Sequence, residues 1–415
     1  MKLLRLTFIL FMAIVLQVNA QDFDILIKNG HVIDPKNSID GVMDVAIKDQ
    51  KIAKVSKNIS EKSAKKIIDA KGLIVTPGLI DIHGHHFFGT VSHRDYSNSF
   101  SSLPPDGFTF RAGVTTVADA GSPGWKNFQE YKEHVINRSK TRVLVFINIV
   151  GDGMSGVSSR EQDTTDMNPK MTAMIARQNP EIIGVKIAHY RGHEWGPYKK
   201  AVQAGEMAKV PVMVDLGGAD PALPLSTLLF DVLRPGDILT HMYGGDHSGH
   251  GPKEGTLNAE GKVWPHWFEA QKRGLIFDVG HGGGSFLFRV AVPATQQGFY
   301  PNTISTDLHI GSMNAGMKDM LNVVSKMMNL GMSLQEAITA STWKPAQVIQ
   351  REELGNLSVG AEADVAIFRM HEGQFGFIDS SGAANKGTKK LETELTLRAG
   401  RIVWDLNGIG AKIWE

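Results

Sequence analysis

The sequence predicts an α/β protein in which a (β/α)8 barrel, a TIM barrel, carries a small β-sandwich domain built from both ends of the chain. Three observations lead there. From Phe23 to Val75 the text reads as short strands with turn punctuation, and the far end repeats that character. Between these ends, short apolar runs alternate with longer helix-like stretches, as parallel strands with crossover helices require. The alternation occurs eight times, the number that closes a barrel.

Taken in order, the first twenty residues stand apart. Lys2 and Arg5 precede an apolar run from Leu6 to Leu16, and Val18-Asn19-Ala20 follows as a small-x-small cleavage pattern. Residues 1–20 are therefore expected to be a signal peptide, with a mature chain from Gln21 exported across the inner membrane to the periplasm. A membrane anchor is the competing reading, but the run is shorter than the ~20 apolar residues that span a bilayer. Strands are expected at Asp24–Lys28, Gly30–Ile33, Asp44–Lys48, Lys51–Val55 and Lys66–Asp69, then at Asp364–Phe368, Leu395–Ala399 and Arg401–Trp404. Residues 21–75 and 352–415 thus form the β-sandwich domain, and 76–351 the metal-binding barrel.

The eight barrel runs are Leu79–His83, Thr115–Asp119, Arg142–Asn148, Ile182–Ile187, Val210–Leu216, Asp237–His241, Leu275–Val279 and Thr303–Asp307. Helices are expected between them, at Asn127–Arg138, Lys170–Arg177, Tyr198–Ala208, Leu225–Leu233 and Trp264–Arg273. Met317, Met320, Met327 and Met328 read as core packing on the outside of the barrel. The stretch from Glu372 to Lys390, rich in Gly, Ser and Lys, reads as a surface excursion of the β-domain.

Composition narrows the function. Lys and Arg number 44 against 43 Asp and Glu, which gives no basic stripe for nucleic acid and no polybasic membrane patch. A small-molecule substrate is expected, with no stable membrane anchor after cleavage, and a homo-oligomer is compatible with all of this. The chain has no cysteine, so a metal must sit on His, carboxylate or modified Lys.

Five of the eight runs contain or end in a residue able to bind metal, and a barrel points every strand C-terminus at one face. The first leads into Asp81-Ile82-His83-Gly84-His85, where the i, i+2 spacing puts both imidazoles on one side of an extended chain. The fourth buries Lys186 in an apolar strand. Desolvation there favours the neutral amine, which can react with carbon dioxide to give a carbamate suited to bridging two cations. A snorkelling structural lysine is the alternative. Runs six and eight end in His241 and Asp307, each the last residue before a loop. Asp307 is placed to touch a metal and to take a proton from water, whose pKa zinc lowers to about 7. Capping or hydrogen bonding at a strand end is the plainer role for either residue. Tyr190, Arg191 and His193 follow the Lys186 strand and are expected to face the site. Arg191 is read as a two-pronged clamp for a substrate carboxylate or, otherwise, as an exposed loop arginine. His86, His93, His247 and His250 lie in loops on the same face and read individually as polar surface.

The run Val75-Thr76-Pro77-Gly78-Leu79-Ile80-Asp81-Ile82-His83-Gly84-His85, with the flanking β-rich ends and the later Lys, His and Asp, resembles the amidohydrolase superfamily across essentially the whole mature chain. Residues 112–122, Gly184-Val185-Lys186 and 278–286 resemble its dihydroorotase-like deacetylase branch, acting on N-acyl amino acids or acetylated hydroxy acids. The resemblance implies His83 and His85 on the more buried of two divalent ions, with a carboxylated Lys186 bridging the pair. It further implies His241 on the second ion and Asp307 as ligand and general base. Zinc is the expected metal, with manganese as the alternative. Where the family supplies a histidine to the second ion, this sequence has Asp215. Either Asp215 coordinates in its place, or the second site is weakened, lost or selective for a harder cation. The resemblance also places His281 near the substrate, as a binding or oxyanion-polarising group or as a structural hydrogen-bonding one.

The expected function is a secreted metal-dependent hydrolase in which a metal-bridging hydroxide cleaves an amide or ester bond of a small substrate; deacetylation follows from the resemblance alone. Cyclic-amide opening, lactone hydrolysis and elimination on a sugar-derived acid remain as alternatives on the same barrel. A non-catalytic exported binding protein is the alternative from another class.

Overall fold

The computed structural model describes residues 21–91, 94–155, 160–246 and 252–414. The expected signal peptide, His93, His247 and His250 lie outside them. Strands β1 (Phe23–Asp34), β2 (Ile39–Lys48), β3 (Lys51–Ser56), β4 (Ala64–Asp69) and β5 (Ile74–Pro77) open the chain. Next come β6 (Leu79–Gly84), β7 (Val114–Gly124), β8 (Arg142–Asn148), β9 (Ile182–Ala188), β10 (Val212–Asp215), β11 (Ile238–Leu239) and β12 (Ile276–Phe277). Strands β13 (Val365–Ile378), β14 (Ala384–Arg398) and β15 (Arg401–Asp405) end it.

The terminal strands from both ends join one sheet in the order β15-β14-β13-β5-β1-β2-β3, with β4 also paired to β1. Hydrogen bonds run through all the strands of the expected β-sandwich, making one continuous sheet. The reason lies in β1, which is long enough to pair β4 along its first half and β5 along its second, while β5 also pairs β13. This continuous sheet wraps round its own core of Ile27, Val32, Val45, Val75, Val365 and Leu395.

Strands β6 to β12 form a curled parallel sheet in sequential order. Their near-continuous apolar runs are buried, as a sheet covered on both faces demands. The eighth expected run touches both edges of this sheet: Thr303 bridges Asp278 and Leu308 bridges Gly84, both in parallel. Helices at Phe128–His134, Pro169–Gln178, Gly196–Ala208, Leu225–Thr227 and Pro265–Arg273 lie where periodicity put them. Met320, Met327 and Met328 sit in the helix Met320–Asn329 and are buried, as is Met317 just before it.

The stretch read as a surface excursion takes the form of a hairpin of β13 and β14, paired to its tip at Ile378 and Ala384. Its polar composition fits strands exposed along much of their length. The tip docks on the curled sheet's domain, where the Phe288 amide donates to Asp379 at 2.8 Å and the Ser380 amide to the Phe286 carbonyl at 2.9 Å.

Candidate metal centre

Strand ends bring His83, His85, Lys186, Asp215, His241 and Asp307 to one face of the curled sheet, all of them buried. One ligand atom each from His83, His241 and Asp307 lies within 4.8 Å of the others. Asp307 Oδ1 stands 3.0 Å from His85 Nε2 and 3.6 Å from His83 Nε2. On the other side, Asp215 Oδ2 lies 3.2 Å from His241 Nε2.

The outer nitrogen of each imidazole is anchored. His83 Nδ1 pairs with Thr240 Oγ1 at 3.0 Å, and that hydroxyl donates to the buried Asp278 at 2.8 Å, so it accepts from the ring. His85 Nδ1 pairs with Ser122 Oγ at 3.0 Å, and His241 Nδ1 donates to the Gly280 carbonyl at 2.5 Å. Where Nδ1 carries the ring's one proton, Nε2 of His241 presents a lone pair toward a carboxylate oxygen, which a cation or an extra proton relieves, and Nε2 of His83 lies between Asp307 and Lys186 Nζ. Burial lowers His83 well below the usual imidazole value and His85 to about 4, which keeps both rings neutral.

Lys186 is fully buried; its Nζ contacts His83 Nε2 at 3.3 Å and the Met213 sulfur at 3.8 Å. An ammonium has three donors to satisfy, and an imidazole nitrogen with a thioether serves it poorly. Burial lowers its pKa accordingly. Gly121 makes room for this side chain: at φ 94°, a Cβ there would stand 2.6 Å from Lys186 Cγ.

Three expected substrate groups are placed differently. His281 is buried with Nδ1 on the Gly282 carbonyl at 2.9 Å and Nε2 accepting from Lys326 Nζ at 2.7 Å, so neither nitrogen is available to a substrate. Lys326 also donates to the carbonyls of Gly316 and Ile378, the latter at the hairpin tip. The pair braces the glycine-rich loop, and the Gly282 backbone, rather than the imidazole, lies against Asp307. Tyr190 donates its hydroxyl to Glu194 at 3.0 Å. Arg191 is exposed, with its amide held by Gln162 at 2.7 Å.

Residues outside the expected set complete the surroundings. His189 Nε2 lies 3.1 Å from Asp215 Oδ2, and its Nδ1 lies 3.2 Å from Glu161 Oε2. His309 Nδ1 donates to the Asp307 carbonyl at 2.8 Å, and Tyr96 stacks on His85 at 4.1 Å between ring centres. His309 stands two residues beyond Asp307 and repeats the period that flagged His83 and His85. The loop residues Tyr96 and Glu161 carried no such signal.

Comparison with known proteins identifies relatives of this chain. The family model described as the amidohydrolase family matches residues 291–403. A deacetylase of Brucella anthropi is 32% identical over 362 residues, covering 85% of this chain and 86% of that protein. A deacetylase of Agrobacterium fabrum is 32% identical over 352 residues, 83% of this chain and 82% of that protein. The crystal structure of an adenine deaminase superposes with a TM-score of 0.81 at 30% identity, covering 93% of this chain and 100% of that one. That of a dihydroorotase gives 0.77 at 28%, covering 92% and 99%. These likenesses make the curled sheet a TIM-barrel-like domain with a second domain attached. The chain therefore belongs to the amidohydrolase family, in company with those deacetylases, and is a hydrolase acting on C–N bonds.

Proposed function

We propose that this is an exported, metal-dependent deacylase that releases an acyl group from a small N-acyl or O-acyl substrate. The carrying observation is the convergence of buried imidazole nitrogens on carboxylate oxygens: 3.0 Å from His85 to Asp307 and 3.2 Å from His241 to Asp215. In this reading segment 303–308 completes a (β/α)8 barrel, and residues 21–75 with 352–415 are its second domain. His83, His85 and Asp307 hold one divalent ion, and Asp215 and His241 hold another. Lys186, as its carbamate, would serve both, which its burial and its poor set of ammonium partners among the described residues support. Zinc suits this nitrogen and oxygen donor set, and manganese is the alternative if the carboxylate of Asp215 dominates the second site.

Such ions polarise a carbonyl and acidify water. Asp307, close to both His83 and His85, is the group placed to accept the proton of the attacking water and return it to the leaving amine or alcohol. Export rests on the first twenty residues. Deacylation rests on the relatives named deacetylases. Opening of a cyclic amide is the second reading, favoured by the structural likeness to a dihydroorotase.

A substrate panel on chelator-free protein separates these readings. N-acetylated D- and L-amino acids, acetylated hydroxy acids, cyclic ureides and lactones are compared with and without added zinc. Zinc-dependent release of acetate is the expected result. Turnover confined to ureides would replace the deacylase with a cyclic amidase, and full activity after removal of all metal would end the metal-dependent reading.

A further inference from the structure

We propose that His189 is the third protein side chain of the Asp215 and His241 half of the metal centre, standing in for the histidine expected at position 215. The proposal rests on the metal-dependent reading above. Its first support is the backbone. His189 follows directly on β9 and turns with φ 56°, the left-handed conformation also taken by His241 at φ 63° and Asp307 at φ 52°. Non-glycine residues adopt that conformation at a cost, so three of them at strand ends on one face are held there by their surroundings. For His189 that hold is visible, because its amide donates to the Asp215 carbonyl at 3.2 Å and its carbonyl accepts from Gln162 at 2.8 Å.

The side chain repeats the pattern of the other imidazoles. Nδ1 is anchored on an outer partner, here the Glu161 carboxylate, while Nε2 faces a carboxylate oxygen of the cluster. A carboxylate behind an imidazole is the arrangement that orients metal-bound histidines. The spacings around Asp215 Oδ2, 3.1 Å to His189 and 3.2 Å to His241, approach the about 3.3 Å between neighbouring ligands of a tetrahedral zinc. Charge points the same way. Glu161 and Asp215 are both buried, and Glu161 Oε1 has no hydrogen-bond partner among the described residues. The competing arrangement is an imidazolium of His189 bridging the two carboxylates, with one ion fewer in the protein.

Zinc per chain, measured by plasma mass spectrometry on full-length protein loaded with zinc and freed of excess, distinguishes them. His189→Gln keeps a hydrogen-bonding group of similar reach and removes the ligand nitrogen. We expect about two zinc ions in the parent and about one in the variant. Glu161→Gln, read by competitive zinc titration, is expected to weaken the second ion by ~10–100-fold. If the parent holds one ion, or if His189→Gln keeps both at unchanged affinity or loses both, the assignment to His189 is wrong while the hydrolase reading stands. A parent without bound zinc would end both. Should His189→Gln fail to fold, unchanged zinc affinity in Glu161→Gln overturns the assignment alone.

Discussion

The two halves of the candidate metal centre differ in how much negative charge faces their imidazoles. Around Asp307, burial holds His85 down at about 4, while the single carboxylate raises His309. Around Asp215, carboxylates dominate: burial opposes the charged form of His189, yet Glu161 and Asp215 raise it to about 10. Both carboxylates of the centre, although burial opposes their charge, are held well below the ordinary range by neighbouring imidazoles. One half thus sets imidazoles around one buried carboxylate, and the other sets an imidazole between two.

This contrast can be broken or sharpened experimentally. The largest effect is expected from Asp307→Asn, which should cut kcat/KM by on the order of 10²–10⁴-fold with the fold intact by circular dichroism. Wild-type turnover in that variant would remove the reactive role from this half. Next is Gly121→Ala, whose new Cβ meets the Lys186 side chain. Overpacking of this kind costs ~1–3 kcal/mol in a denaturant titration, and displacement of Lys186 should lower metal content with it. Ser122→Ala removes the outer partner of His85 and should weaken zinc binding by ~10–100-fold, a direct counterpart of Glu161→Gln on the other side. An unequal response of the two would show that one half depends more on its anchors.

The smallest effect concerns the brace behind Asp307. Burial pulls Lys326 from the ordinary 10.5 to about 7. The unfolded chain therefore binds the extra proton between those two values, and stability should rise with pH across that window. Urea midpoints measured through it should climb in the parent and flatten in Lys326→Met.

Much of this centre was legible in the sequence because the signals were local. The period of two placed His83 beside His85, a lone cation in an apolar run exposed Lys186, and strand-end positions singled out His241 and Asp307. His189 was not legible. It heads a polar loop shared with Tyr190, Arg191 and His193, and a single backbone turn decides which of these faces inward. Its partner Glu161 lies 28 residues earlier in another loop. For His281 the resemblance left a place near the substrate and a structural hydrogen-bonding role both open, and the lysine that occupies its ring sits 45 residues away in a helix read as core. In the fold, turn punctuation between short β-rich runs identified the terminal strands, while the continuity of their sheet depended on pairings between distant segments. The hairpin from 365 to 398 was obscured because exposed strands need no apolar alternation.

The docking of that hairpin makes the surroundings of Asp307 depend on a segment that follows every candidate ligand. The candidate ligands end at Asp307, whereas the carbonyl that receives Lys326 and the groups that fasten the glycine-rich loop belong to Ile378, Asp379 and Ser380. A chain clipped before the hairpin would keep the whole ligand set and lose the fastening behind Asp307. Strands that carry no candidate ligand thus fasten the loop that lies against one.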